Sequence, residues 1–328
     1  MPPLIPFTRG AAGVDNPLGI HAGLWVSDWS PASARYAIEG SAAAGYQLIE
    51  IPLRDGADPA TASDELTARL LADNGLDAVV SLALGPDDDI NGDGITSGGT
   101  DAGRGDAESS ARSARGERRL LDAVEFAHAI GAHYVGGVTY SAMTKYAHPA
   151  TEASRANSLA VLARVAATAK TADVRLGLEY VNRYESNLLN TAAQTAAFIG
   201  ELSERGGLAA GDVLLHIDTY HANTEELSQA AAVQDAGALL GYLHIAENHR
   251  GRLGTGSIDW PGLFAALAAA DYRGPLTFES FSPAVITAAT RDEIGAWRTL
   301  WTDPAELARH AAGFLREQLA STSIPTTV

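Results

Sequence analysis

Four consecutive strand-like runs, each closing on a side chain able to bind a metal, constrain this chain more than any other feature. Val174, Leu176 and Leu178 alternate with Arg175 and Gly177, the two-residue period of a strand, and Glu179 arrives where the apolar run stops. Val213-Leu-Leu-His-Ile-Asp218 ends in Asp218, Leu240-Gly-Tyr-Leu-His244 in His244, and Pro275-Leu-Thr-Phe-Glu279 in Glu279. A carboxylate that closes a buried strand is costly unless it is paired or bound to a cation. Any one of these acids taken alone reads equally well as a salt-bridged strand end; four in series do not. Three oxygen ligands and one imidazole suit a hard or borderline divalent ion, such as Mn²⁺, Mg²⁺ or Co²⁺.

Strand-like and helix-like segments alternate along the rest of the chain. Apolar runs at Gly19–Trp25, Tyr46–Leu53, Leu76–Leu84 and His133–Thr139 precede the four ligand-bearing ones. The spacing predicts helices at Pro31–Ala44, Ala60–Asp73, Ala107–Ile130, Ala150–Ala172, Asn190–Leu202, Thr224–Val233, Trp260–Ala269, Thr290–Trp301 and Pro304–Leu319. Asn74-Gly75 and Gly131 supply stop signals. Eight β/α units in one chain predict a single-domain α/β fold, the (β/α)₈ TIM barrel, over residues 17–320. Residues 1–16 read as an irregular N-terminal extension and 321–328 as a loose C-terminal tail, both dispensable to the fold. Side chains at the C-terminal strand ends of such a barrel face one mouth, so Glu179, Asp218, His244 and Glu279 are expected to converge. A doubly wound open sheet would not gather four successive strand ends around one point.

Charge narrows the partner. The 328 residues include 23 Lys+Arg against 40 Asp+Glu, a formal net charge of −17. Such a surface repels phosphate backbones and anionic lipid, so neither nucleic acid nor membrane is expected as a partner, and a neutral small molecule is. There are no cysteines, hence no disulfide framework and no thiolate metal site. No stretch is long and apolar enough to span a bilayer, and Met1-Pro-Pro-Leu-Ile-Pro lacks the charged-then-apolar pattern of a signal peptide. The expectation is a soluble, cytoplasmic protein. A Gly- and Asp-rich stretch, Gly85–Gly105, stands after the third strand. Asp89-Ile-Asn-Gly-Asp-Gly94 matches the opening of a Ca²⁺-binding loop, but Ile95 falls one place early and Thr100 stands where the bidentate Glu belongs. An acidic surface loop or lid is the better reading.

Longer motifs carry a resemblance. LEYVNRYESNLLNT, HIDTYHANTEE, HIAENHRGRLGTGS and PLTFESFS resemble the ketose 3-epimerases: D-tagatose, D-allulose (D-psicose) and L-ribulose 3-epimerases, built on a xylose-isomerase-like barrel. GVTYSAMTKYAHPAT and IGAWRTLW resemble the branch typified by bacterial D-allulose 3-epimerases, and the likeness runs from Gly19 to Phe314. The resemblance implies an isomerase of carbohydrates that epimerises free ketohexoses or ketopentoses at C3, of the D-fructose/D-allulose, D-tagatose/D-sorbose or L-ribulose/L-xylulose type. It implies one divalent ion, Mn²⁺ first with Co²⁺ or Mg²⁺ as alternatives, held by Glu179, Asp218, His244 and Glu279. Glu179 and Glu279 would also be the acid/base pair that moves the C3 proton through an enediolate. Glu185, His221 and Arg250 match the family's substrate binders, and a homodimer or homotetramer is implied.

Other residues read more plainly. His216, inside a strand, reads as a satisfied core histidine; His249 as packing or solvent-facing; Glu247 as either a supporting or a purely structural acid. His21 is a weak candidate for the mouth, and Trp25 and Tyr140 read as packing. Two other functions use the same features: an aldose–ketose isomerase on the same barrel, and a non-catalytic sugar-binding barrel. The second would be expected to have lost a base, and both glutamates are present. A DNA-repair endonuclease would want more histidine ligands and a basic groove.

Overall fold

Why the segments become strands and helices is visible at their ends. The computed structural model describes residues 4–53, 62–92 and 106–322. Helices begin where the chain supplies a hydroxyl or carboxylate cap. Ser30 accepts from Ser33 N ahead of α1 (Pro31–Ala43), Ser63 from Leu66 N ahead of α2 (Asp64–Asn74), and Thr191 from Gln194 N ahead of α5 (Ala192–Gly206). Before α4 (Glu152–Thr171), Thr151 and Ser154 cap each other reciprocally. Gly75, at φ 64°, ends α2 in the left-handed conformation that Asn74-Gly75 foretold. The long helix α3 spans Asp106–Ile130.

The strands are β1 (Leu18–His21), β2 (Leu48–Leu53), β3 (Asp77–Leu82), β4 (Tyr134–Gly136), β5 (Arg175–Glu179), β6 (Val213–Asp218), β7 (Leu240–Ile245) and β8 (Leu276–Phe278). The described residues form a closed barrel in sequence order, every neighbouring pair parallel, with β1 closing on β8. This is a (β/α)₈ barrel. Its strands are buried on both faces, hence mostly apolar runs that carry few polar residues. Register levels the later strands, pairing Glu179 with His216 and Asp218 with His244.

Three elements differ from expectation. The helix expected at Thr224–Val233 is two: α6 (Thr219–Glu225), then α7 (Gln229–Ala236), broken at the fully exposed Leu227 where Ser228 caps the second. Beyond α8 (Trp260–Ala269), the helix expected at Thr290–Trp301 is the short α9 (Ala288–Glu293), after which Gly295 turns at φ 66°. The chain then enters α10 (Pro304–Thr322). The N-terminal residues, read as dispensable, floor the barrel. Ile5 and Ala11 pack with the interior side chains Leu48, Val79, Tyr134, Leu214 and Tyr242. One carboxylate at the start of β3 holds them: Asp77 accepts from the backbone N–H groups of Thr8, Arg9 and Ala11 at 2.8–3.1 Å. Residues 323–328 lie outside the described chain.

Inside the barrel, aromatic side chains pack below the mouth. Tyr134 stacks on Tyr242 with ring centroids 4.9 Å apart, and a side chain at Gly177 would overlap the Tyr134 hydroxyl. Gly177→Ala is therefore expected to destabilise by about 1–3 kcal/mol through overpacking. A urea unfolding midpoint unchanged from the parent protein would contradict it.

Candidate metal and sugar site

Alternation within each strand decides what faces inward. On β6, Leu214, His216 and Asp218 point into the barrel; on β7, Tyr242 and His244 do; on β5, Glu179 does. Glu279 follows one residue after β8. All four predicted ligands are buried, and they come together at the mouth. His244 Nδ1 stands 3.4 Å from Glu179 Oε1 and 3.6 Å from Glu279 Oε1. Asp218, His244 and Glu279 form one of the tight clusters able to hold an ion.

His244 has a hydrogen-bond acceptor that the sequence does not mark. Its Nε2 lies 2.7 Å from Glu50 Oε2, which also accepts the Tyr242 hydroxyl at 2.9 Å; Thr277 Oγ1 in turn donates to Tyr242. With Nε2–H given to Glu50, the lone pair of Nδ1 turns into the pocket. That atom is buried and has no hydrogen-bond partner. An orphaned buried imidazole nitrogen amid three carboxylates is what a divalent ion would satisfy, and the donor set fits one. Carboxylate-to-histidine support of this kind orients metal-binding imidazoles.

Asp218 serves two ends. Oδ1 caps α6 by accepting from Tyr220 N at 2.8 Å, while Oδ2 faces the pocket, 3.1 Å from Arg250 Nη2 and 3.5 Å from His221 Nε2. Arg250 also donates through Nη1 to Glu279 Oε2. Its backbone sits at φ 57°, uncommon for a residue with a side chain. The guanidinium lies 4.1 Å over the Tyr220 ring and 5.1 Å from Phe281. His221 Nδ1 faces the Asn182 backbone N–H at 3.2 Å and the Asn182 side-chain nitrogen at 2.9 Å, and its Nε2 faces Arg250 Nη2 at 3.1 Å. Glu185 accepts from Asn182 and has its other oxygen 3.9 Å from His221 Nε2. Glu185, His221 and Arg250 thus line one side of the ligand cluster.

The charges are held unequally. Burial pushes Glu179 up and lifts Asp218 to about 8. Burial also acts on Glu279, but the Arg250 charge beside it wins and holds it below the usual carboxylate range. Burial alone would lower His244; Glu50, Glu279 and Glu179 around it raise it well above the ordinary imidazole value. His221 is driven well down, by burial and then by Arg250.

One lesser reading is corrected and the others are refined. His216 is fully buried but not satisfied: neither ring nitrogen has a hydrogen-bond partner. Glu247 braces its own loop, Oε2 accepting from Gly254 N and Trp260 Nε1 and Oε1 from Asn248 N. His21 is buried 3.8 Å from Glu50 Oε1. Tyr140 is core, its hydroxyl on the Leu189 carbonyl. Asp89 is engaged by protein groups. Its carboxylate is spent on Asn91 N, Ala142 N and the Tyr146 hydroxyl, tying the loops after β3 and β4 together. Asp93 and Gly94 lie outside the described residues.

The barrel with its metal-type mouth defines a class, and comparison agrees: residues 38–318 match the xylose isomerase-like TIM barrel family. The chain is 41% identical over 300 residues to an L-ribulose 3-epimerase of Methylomonas sp. (strain DH-1), covering 92% of this chain and 96% of that one. It is 38% identical to a ketose 3-epimerase of Arthrobacter globiformis, covering 93% and 97%. Among solved structures, a D-allulose 3-epimerase from Methylomonas sp. in complex with D-allulose superposes with a TM-score of 0.82 at 39% identity, covering 96% and 99%. The chain belongs to the ketose 3-epimerase family within those barrels, and is a carbohydrate epimerase of the isomerase class.

Proposed function

We propose that this enzyme is metal-dependent and interconverts free ketoses that differ at C3, using Glu179 and Glu279 as two bases. The observation that carries the reading is the pair of carboxylates flanking the bare Nδ1 of His244, at 3.4 and 3.6 Å, with Arg250 and His221 beside them. Relatives named for L-ribulose and D-psicose support free ketoses as the substrate class. Glu179, Asp218, His244 and Glu279 would hold a divalent ion, Mn²⁺ in our reading, which would supply electrophilic polarisation of the C2 carbonyl. The chain's own groups do the rest. One glutamate takes the C3 proton from one face while the other returns a proton to the opposite face. Arg250 cannot lose its proton and donates a fixed fork, so it orients the O1/O2 end of the sugar; His221 and Glu185 complete that grip.

The deciding experiment incubates the Mn²⁺-loaded protein with D-fructose, D-tagatose and L-ribulose in D₂O. Deuterium at C3 together with the C3 epimer is the expected result. Aldose product would mean an aldose–ketose isomerase, and no exchange a sugar-binding barrel. Arg250→Ala is expected to raise KM by about 10- to 100-fold, the scale of a lost charged hydrogen bond. Metal content should be unchanged, since a cation is no ligand. Loss of bound metal in that variant, read by elemental analysis, would make Arg250 structural instead.

A further inference from the structure

We propose that the barrel offers a second, deeper cation position, formed by Glu179, His216 and His244, which selects Zn²⁺ over the ion of the outer set. His216 is the reason to look. It is fully buried on β6, and both of its nitrogens lack a hydrogen-bond partner. A buried imidazole left so is rare and asks for a ligand. Its Nδ1 stands 3.8 Å from Glu179 Oε2, whose other oxygen is 3.4 Å from the equally unpartnered His244 Nδ1. One ligand atom from each residue lies within 4.8 Å of the others, and the two imidazole rings meet edge to face at 4.2 Å. A separation of 3.8 Å is too long for a hydrogen bond. It suits two ligands on one ion, because atoms about 2.0–2.2 Å from a zinc stand about 3.3–3.6 Å apart at the tetrahedral angle, so a shift of a few tenths of an ångström brings the pair into range.

The donor sets differ in kind. The outer set has three carboxylates and one imidazole, which suits harder ions; the inner has two imidazoles and one carboxylate, a set that zinc takes with a water completing the coordination. The sets share Glu179 and His244 Nδ1, so an ion in one excludes an ion in the other. Resting on the proposed function, a zinc held at the inner position also draws Glu179 towards His216 and away from C3, and so opposes activation by Mn²⁺.

The test uses the full-length wild-type protein, stripped of metal, given one equivalent of Zn²⁺ and crystallised, with anomalous data at the zinc edge. The expected peak lies about 2.0–2.1 Å from a His216 nitrogen. A zinc bound among Asp218, His244 and Glu279 with His216 unliganded, or a non-anomalous water between His216 and Glu179, would overturn the proposal. In parallel, titration calorimetry on His216→Phe should show Zn²⁺ affinity falling by about tenfold or more, the scale expected on losing a metal-site residue, with Mn²⁺ affinity little changed. No change for Zn²⁺, or an equal fall for both ions, would count against it. Neither measurement reads turnover, so failure of the epimerase reading would leave this test intact.

Discussion

Glu179→Gln and Glu279→Gln should each stop net epimerisation, with turnover falling about 10²- to 10⁴-fold, the contribution of a positioned base. Each should also wash solvent deuterium into a different epimer. The amide keeps the size of the side chain and one ligand oxygen but accepts no proton. With one base intact, a variant still takes the C3 proton of the epimer that presents it on that side and returns deuterium to the same face. The starting proton affinities are already unequal: burial raises Glu179, while Arg250 holds Glu279 low. Such divergence within a carboxyl pair marks acid and base roles. Both variants should keep bound metal, more weakly, since an amide is a poorer ligand than a carboxylate. NMR of recovered sugar in D₂O reads the exchange. Near-parental turnover in either variant, or exchange into the same epimer by both with metal bound, would refute two separate bases.

What the sequence could reveal of this site depended on how local the signal is. Glu179, Asp218, His244 and Glu279 each stand where an apolar run ends, so the chain itself marks them. Glu50 was visible as a charge on a strand, but its meaning lies in a contact 194 residues away. Nothing near Glu50 says that it meets His244. The floor was hidden for the same reason, since Asp77 binds N–H groups 66–69 residues earlier. His216 was the avoidable miss. It sits two residues before Asp218, and strand alternation alone puts both side chains on the same inward face. The eight-unit alternation survived because the strands are buried on both sides and, α3 aside, the described α-helices begin at a side-chain cap. The helices around Leu227 and after Glu293 departed from expectation where exposed turns override apolar spacing.

Glu50 carries the second large effect. It is buried between His21 and His244, and although burial would raise its carboxyl, His244 and then His21 hold it well below the usual range. Accepting from His244 Nε2, it fixes the tautomer that leaves Nδ1 bare, and its charge makes that nitrogen a better donor to an ion. Glu50→Gln keeps the shape and one acceptor oxygen but removes the charge, and is expected to weaken Mn²⁺ binding about 10- to 100-fold. Glu50→Leu also removes the acceptor and leaves the Tyr242 hydroxyl without its partner, so its loss should be larger. Electron paramagnetic resonance titration of Mn²⁺ into metal-stripped protein reads the affinity. In protein loaded with diamagnetic Mg²⁺, the ¹⁵N shifts of His244 read the tautomer, expected as Nε2–H in the parent and mixed in Glu50→Leu. Turnover of Glu50→Gln at saturating Mn²⁺ should recover most of the parental value, because Glu50 acts through His244 and never meets the sugar. An unchanged Mn²⁺ affinity with an unchanged tautomer would reduce Glu50 to a buried counter-charge and leave the orientation of His244 to packing against Tyr242 and His216.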